Sequence, residues 1–405
     1  MPIGYSQLPE LFPVAGIRLA SVAAGIRYQG RDDLVLMELA EGSRCAAVFT
    51  RNAFCAAPVI VARQHLAAQQ PRYLLINSGN ANAGTGAPGI HDAQQTCALL
   101  AEKAGCPAER VLPFSTGVIG ERLPVSRVAA VLGTALAGLA DDGWQAAAHA
   151  IMTTDTVAKG FSGTFTAGER QFTLTGLVKG AGMIRPDMAT MLAYVACDAN
   201  VEQQALRQCL EQAVERSFNR ITVDGDTSTN DACVLVATGA QGTPPVHSGT
   251  AEYRALCEAV GEACETLAQL IVRDAEGATK FVTVRIEGGR DEAECLQVAY
   301  TIAHSPLVKT ALFAGDPNWG RILAAVGRAG VESLDVGKIA IFLGDVCIVR
   351  NGGVAEEYRE QDGQRVMDRE EIVIRVQLGR GDAVGQVWTS DLSHDYVRIN
   401  AEYRT

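Results

Sequence analysis

Apolar positions along the chain follow two alternating rhythms. Between residues 31 and 62 the short runs LVLMELA, AAVFT and APVIVA are separated by turns, and each reads as a β-strand. YLLIN then enters SGNANAGTGAPG, a loop rich in Asn and Gly, which tolerate left-handed backbone and let chains approach closely. From His91 to Gly105 the spacing becomes helical, with Cys97, Leu100 and Ala104 on one stripe and Gly105 as the stop. Residues 123–139 repeat the pattern with Val128, Leu132 and Leu136. Residues 160–184 read as two β-runs turning at Ala167-Gly168, and AYVACDA and ACVLVATG read as further strands. Helices are predicted over 201–218, where Leu206, Leu210, Val214 and Phe218 fall four apart, and over 253–270, which carries Leu256, Val260, Cys264 and Leu267. FVTVRIEGG, IAIFLG, VCIVRNGG and EIVIRVQLG add short strands in the C-terminal third. The βαβ rhythm is irregular and many strands sit in hairpin-like pairs. The pattern predicts an α/β fold of layered mixed sheets with helical covers, not a doubly wound parallel sheet.

Composition narrows the function classes. At 405 residues, 48% of them hydrophobic, the chain is too long for one typical domain, so two or more compact units are expected. Aromatics at 6% and 41 glycines predict packing with small side chains and many tight turns. The formal charge of −11 and a pI near 5.1, with no Lys/Arg run, argue against nucleic acid as a partner. The opening MPIGYSQLPELFPVAG has no basic region followed by a long apolar run, so no signal peptide is expected, and no uncharged apolar stretch is long enough for a membrane span. The expected location is the cytoplasm. Eleven cysteines stand singly without a CxxC pair, which predicts buried thiols and no zinc or iron–sulfur site.

Motif by motif, common chemistries drop out. Gly180-Ala181-Gly182 does not extend to a dinucleotide loop, and neither GxxxxGK[ST] nor GxSxG occurs. Six histidines share no motif, and HDY at 394–396 reads as structural. VDGDTSTND places Asp224, Asp226, Ser228 and Asn230 at calcium-loop positions, but Thr229 stands where the glycine belongs and Leu235 where the closing Glu belongs. A turn held by Asx-type and threonine hydroxyl bonds is the better reading, and no metal is expected. FSTGVIGE admits two readings: a hydroxyl and a glycine in an ordinary turn, or Thr116 and the Gly117 N–H aimed together at a developing oxyanion. The residues alone favour the turn.

RPDMATML preceded by KGAGMI, with NSGNANAGTG, STGVIGE, IMTTDT, FNRITVDGDTSTND, DAEGATKF, FAGDPNWGRIL and the ending HDYVRINAEYRT, strongly resembles the glutamate N-acetyltransferase (ornithine acetyltransferase) family of arginine biosynthesis. The match is collinear over essentially the whole chain. Departures are small: Gly84 where the family often has Cys, Ala158 where it has Pro, and DAEG where DGEG is common. The resemblance implies a layered, self-processing enzyme with a pseudo-symmetric pair of sheets between helices, cut between Ala189 and Thr190. Residues 1–189 become an α chain carrying the oxyanion hole, and residues 190–405 a β chain that begins with its nucleophile. It implies Thr190 as the acyl acceptor, Thr116 and Gly117 as the oxyanion hole, and substrate contacts from Thr153, Lys179, Thr190, Glu276, Asn400 and Thr405. Thr154 aligns as readily as Thr153. By itself Lys179, beside a predicted strand, also reads as a solvated edge residue. A dimer of αβ units, two α and two β chains, is implied as well.

The implied chemistry needs these groups. Thr190 attacks the Ala189 carbonyl, the acyl chain shifts from nitrogen to oxygen and so frees the Thr190 α-amine, and hydrolysis of the ester parts the two chains and restores the hydroxyl. That amine, with an unperturbed pKa of about 7.7–8, can act as base for its own hydroxyl, so no histidine is required. N2-acetyl-L-ornithine then acetylates Thr190 and leaves as ornithine, and L-glutamate takes the acetyl group as N-acetyl-L-glutamate. No cofactor is implied. Lys179 would meet the α-carboxylate shared by both substrates and Glu276 the ornithine ammonium, with Asn400 and Thr405 serving polar ends. Three alternatives stand beside this reading: acetyl-CoA as a second donor, an amidase in which water deacylates Thr190, and a non-enzymatic scaffold that stays uncut.

Overall fold

The run LVLMEL at 34–39 is buried along its whole length, and the reason organises the larger of two compact units. Val35, Met37 and Leu39 face one apolar core while Leu34 and Leu36 face another, so the strand is sandwiched. The computed structural model describes residues 2–185 and 191–402. The larger unit comprises Gln7–Asn219 and Asp226–Ile271, and among the described residues the smaller comprises 2–6, Arg220–Gly225 and 272–402. This division by packing is distinct from the α and β chains expected from a cut at 189/190.

In chain order the larger unit holds β1 (Ile17–Val22), β2 (Leu34–Leu39), β3 (Arg44–Phe49), α1 (Ala57–Ala68), β4 (Tyr73–Asn80), α2 (Gly86–Ala104), β5 (Val111–Val118), α3 (Val125–Ala137) and α4 (Trp144–Ala150). It continues with β6 (Lys159–Ala167), β7 (Arg170–Lys179), β8 (Leu192–Cys197), α5 (Gln203–Arg216), β9 (Ala232–Ala237) and α6, which begins at Ala251 and ends at Arg273. β1-β2-β4-β5 form a four-stranded sheet and β3-β9-β8-β7-β6 a five-stranded one. Each sheet is mainly antiparallel but contains one parallel pair, β4–β5 and β8–β9, bridged in sequence by α2 and α5 respectively.

The two sheets face each other across one core. Leu74, Ile76, Leu112 and Phe114 of the first meet Leu192, Tyr194, Val234 and Val236 of the second, and the Phe114 and Tyr194 rings pack edge to face at 5.3 Å. On the outer side of the first sheet, Tyr73, Leu75 and Val111 pack against Cys97 and Leu100 of α2 and Val128 and Leu132 of α3. α5 covers β3 and β9 of the second. The order of layers is helix, sheet, sheet, helix, in agreement with the layered α/β expectation. Burial of the strand side chains alternates with a period of two between the facing core and the helical cover.

The predicted helices are present with the expected buried stripes, Leu206, Leu210 and Val214 on α5 and Leu256, Val260, Cys264 and Leu267 on α6. Glu202 caps α5 by accepting from the Gln204 and Ala205 amides at 3.0 Å each. One expected strand is a helix. APVIVA opens α1, because Pro58 sits in the first turn, where no N–H is needed, and the helix continues through Ala62, Arg63, Gln64, Leu66 and Ala67, which are good helix formers. Val59 and Val61 supply buried contacts there instead of a ladder.

The smaller unit holds β10 (Phe281–Gly289), α7 (Glu292–Ala303), α8 (Pro306–Ala314), α9 (Trp319–Gly327), β11 (Ala340–Leu343), β12 (Val346–Arg350), β13 (Gly353–Val354), α10 (Glu360–Met367), β14 (Glu371–Gln377), β15 (Ala383–Ser390) and α11 (His394–Glu402). Its sheet runs β13-β12-β11-β14-β10-β15. Val282, Val284 and Ile286 of β10 and Ile372, Ile374 and Val376 of β14 bury themselves against Val298 and Ile302 of α7 and Ile322 and Val326 of α9. The sequence pattern predicts the strands at 281, 340, 346 and 371 but not the helices between them. Among the described residues no helix is long and apolar enough to cross a membrane.

Candidate active site

Thr116 and Gly117 lie at the C-terminal end of β5, where its ladder with β4 loses register: Gly79 faces Gly117, and Asn80 faces both Thr116 and Val118. Gly117 has φ +133°, and a Cβ there would stand 2.2 Å from the Gly79 carbonyl carbon and 2.5 Å from the Asn80 nitrogen. Backbone meets backbone, so only glycine fits. The reading of this segment as an ordinary turn is therefore replaced by a strand end with a local bulge.

Lys179 closes β7, and its Nζ donates to Thr116 Oγ1 at 3.2 Å. The two residues are 5% and 7% exposed, which overturns the reading of Lys179 as a solvated edge residue. An ammonium has donors only, so the Thr116 oxygen must accept from it. The hydroxyl hydrogen is then left to donate elsewhere, and among the described residues nothing receives it. A hydroxyl beside a cation, next to a glycine N–H, supplies the donors that stabilise negative charge on a carbonyl oxygen.

A buried carboxylate supports this group. Asp155 Oδ1 accepts from Lys159 Nζ and from the Gly180 amide, both at 2.7 Å, and Oδ2 accepts from the Thr153 amide at 2.9 Å. Burial pushes this carboxyl up, but the charges of Lys159 and Lys179 and the hydrogen bonds overcome that and hold it well below the usual carboxylate range. Asp155 is thus an ionised anchor joining the IMTTDT loop to the first residue after β7. Thr153 is placed through its amide, and Thr153 and Thr154 are both half-buried.

Lys179 pairs with Leu192 across the β7–β8 ladder, so the connection that carries Ala189 and Thr190 leaves and re-enters the sheet beside this group. Ala189, Thr190 and Thr405 lie outside the described residues. Met191, which follows Thr190, is buried, and its amide donates to Asp231 Oδ1 at 3.1 Å. The neighbouring Asn230 donates from Nδ2 to the carbonyls of Ala81 at 2.7 Å and Ser115 at 3.0 Å. The turn reading of this loop holds: Asn230 N bonds Ser228 Oγ at 3.1 Å, and Thr50 Oγ1 donates to the Ser228 carbonyl at 2.7 Å. Among the described residues no group of three or more His, Cys, Asp or Glu is placed to hold a metal ion.

In the smaller unit the structure brings Glu276 and Asn400 together, with Asn400 Nδ2 donating to Glu276 Oε2 at 2.8 Å. Asp391 fixes the DAEGATKF loop by accepting from the Thr279 amide at 2.8 Å, the Lys280 amide at 3.0 Å and the Thr279 hydroxyl at 2.6 Å. Gly277 lets that loop approach α11 closely, since a Cβ there would lie 2.5 Å from the Tyr396 nitrogen. Sequence reasoning missed Asp155, Lys159 and Asp231, and gave Asn230 only as part of a turn. The available signal was polar residues set tightly against apolar runs, as in TTDTVAKG and STNDACVLVA, where burial of the run must carry its neighbours inside.

Fold and site together define a layered α/β protein with a buried hydroxyl, glycine amide and lysine suited to acyl-transfer chemistry. The chain belongs to the ArgJ family, whose family model matches residues 18–405. The arginine biosynthesis bifunctional protein ArgJ of Pseudomonas fluorescens is 57% identical over 406 residues, covering 100% of both chains. The protein of the same name from Methylococcus capsulatus is 58% identical over 396 residues, covering 98% of this chain and 97% of that one. A crystal structure of the arginine biosynthesis bifunctional protein ArgJ from Bacillus halodurans is 38% identical, covers 51% of this chain and 96% of that chain, and has a TM-score of 0.49. The kinship implied by the sequence motifs holds, and the protein is an enzyme.

Proposed function

We propose that the protein is a self-processed acetyltransferase that moves the acetyl group of N2-acetyl-L-ornithine to L-glutamate through an acetyl-Thr190 intermediate, without a cofactor. The observation that carries this reading is the Lys179–Thr116 contact beside Gly117, at the end of the β7–β8 ladder from which the chain runs on to Thr190. Attack of the Thr190 hydroxyl on the acetyl carbonyl puts negative charge on its oxygen, for which Thr116 and Gly117 are the donors. The Thr190 amine takes the hydroxyl proton and returns it to the departing ornithine amine. Glutamate then repeats the steps in reverse order. Lys179 raises the donor strength of Thr116 and offers charge for a substrate carboxylate, while Glu276 and Asn400 serve the amino-acid side chains, with Thr153 and Thr405 as further contacts.

The same reading makes residues 1–189 and 190–405 separate chains after the cut. They stay associated because β9 and β8 lie between β3 and β7 in the five-stranded sheet, so cutting the β7–β8 connection breaks no ladder and exposes little apolar surface. A heterotetramer of two α and two β chains in the cytoplasm completes the proposal.

Mass spectrometry of protein mixed with N2-acetyl-L-ornithine and quenched in acid tests the core of it. Two chains divided at 189/190, with the acetyl group on the peptide that starts at Thr190, are expected. One uncut chain, or acetyl elsewhere, would overturn the reading. Incubating the processed protein with glutamate and acetyl-CoA alone tests the second donor, which the word bifunctional in the relatives' name accommodates.

Two variants probe the site. Thr116→Val keeps the shape of the strand but removes one oxyanion donor, and kcat should fall about 10²–10³-fold. Turnover close to the parent in fully processed T116V would take the hydroxyl out of the hole. Removing residues 400–405 deletes the Asn400 bond to Glu276 and should leave the cut intact but raise KM, because interactions made equally in ground and transition states appear there. Unchanged KM for both substrates would exclude the tail from recognition.

A further inference from the structure

Residues 230 and 231 have no part in the reaction as written above, yet their side chains hold its two halves. Asn230 gives both amide hydrogens to backbone carbonyls, Ala81 at 2.7 Å and Ser115 at 3.0 Å, and its Oδ1 accepts from Thr229 Oγ1 at 2.6 Å. Ser115 is bonded directly to Thr116. Asp231, 1% exposed, accepts from the Met191 amide at 3.1 Å, and the next amide, Ala232 N, donates to the Met191 carbonyl at 3.1 Å. Residue 191 is therefore gripped at both of its backbone groups, and Met191 is bonded directly to Thr190. The Asp231 carbonyl in turn accepts from the Thr50 amide at 3.0 Å, which fixes the clamp itself.

The two gripped segments belong to different sheets. Thr116 ends a strand of the four-stranded sheet, and Met191 leads into β8 of the five-stranded one. Backbone ladders set distances within a sheet, but facing sheets are held apart or together by side chains alone. Consecutive residues reaching one to each side therefore set a spacing that no ladder can. Burial pushes the Asp231 carboxyl well above its usual range, against the pull of the Met191 amide, the Ser228 hydroxyl and the Lys179 charge, so a neutral residue of the same shape can replace it.

We propose that Asn230 and Asp231 are positioning residues, a clamp that sets the distance between the oxyanion donor Thr116 and the nucleophile Thr190. The proposal rests on the assignment of Thr190 made above. Because neither side chain touches substrate in this scheme, losing the clamp should lower kcat and leave KM near the parental value. The self-cut at 189/190, which uses the same hydroxyl, should slow as well.

The test compares full-length parent, Asn230→Ala, Asp231→Ala and Asp231→Asn. Each is checked for folding by circular dichroism, followed for cleavage, and assayed for kcat and KM once cut. N230A and D231A are expected to lose about 10–100-fold in kcat, the scale of a small misplacement of reacting groups, with KM little changed. D231N keeps the acceptor oxygen and should restore most of the parental kcat. Parental kcat in folded N230A and D231A would overturn the clamp. So would a D231N as slow as D231A, since Asp231 would then act by charge or proton and not by its bond to residue 191. Should D231A fail to fold, a slow N230A with an active D231N supports the clamp, and a fast N230A or a slow D231N overturns it. The acetyl adduct of the parent is measured in parallel. Its absence from the Thr190 peptide sinks the nucleophile assignment, whereas its presence alongside unimpaired variants sinks the clamp alone.

Discussion

A Thr190→Ala variant should emerge as one uncut polypeptide without acetyl-transfer activity. In the proposed scheme a single hydroxyl performs both the self-cut and the transfer. Loss of a covalent nucleophile in a comparable acyl-transfer enzyme costs on the order of 10⁶ in kcat, so residual transfer should be undetectable. The fold should survive, because β7, β8 and β9 are held by ladders that begin at Leu192 and do not include residue 190. Denaturing electrophoresis decides the first half: two fragments divided at 189/190 in T190A would remove Thr190 from the cut. Thr190→Ser keeps a hydroxyl and should keep part of both activities.

Asp155→Asn is expected to cost about 3–5 kcal/mol of stability, the scale for breaking a buried ion pair from one side. Lys159 is fully buried and its ammonium meets Asp155 Oδ1 at 2.7 Å, and Lys179 is buried nearby. An asparagine cannot balance these charges, and its single acceptor oxygen cannot serve both Lys159 and Gly180 on one side and Thr153 on the other, because its NH₂ only donates. The pH dependence should report the same group. Because the native carboxyl is held below the usual range, its contribution is present above the unfolded pKa of about 3.9 and is lost as pH falls below that value. Denaturant unfolding of parent and D155N should therefore differ most above pH 5 and converge in acid. Equal midpoints at pH 7 would show that Asp155 is not the anchor of this loop. The transfer activity of D155N should fall too, since the Thr153 loop and Gly180 both hang on that carboxylate.

Much of the architecture was legible in the sequence because its cause is local. Strict four-residue spacing in ALRQCLEQAV produced α5, and the two faces of LVLMEL are both apolar because both are covered. APVIVA shows where locality fails. Apolar runs of this length suit a strand or a helix, and Pro58 together with packing against β5 decides for the helix α1. The helices of the C-terminal third were hidden for related reasons: α7 and α8 lack a sharp apolar stripe, and α9 and α10 are too short to repeat theirs over several turns.

For the site, the division is just as physical. Motifs identified the family, and with it Thr190, Thr116, Gly117, Lys179, Glu276 and Asn400 as residues to examine, since recurring chemistry leaves recurring short strings. The sequence by itself also determined the absence of a nucleotide loop or cysteine cluster among its motifs, and the alternation that places β4, β5, β8 and β9. Only the tertiary structure decided that Lys179 is buried on Thr116, that Asp155 holds Lys159 and Gly180, and that Asn230 and Asp231 reach two different sheets. Each of these depends on partners far apart along the chain. Burial and hydrogen-bond geometry arise when distant strands pack, and no periodicity within a single segment encodes which strand will stand opposite.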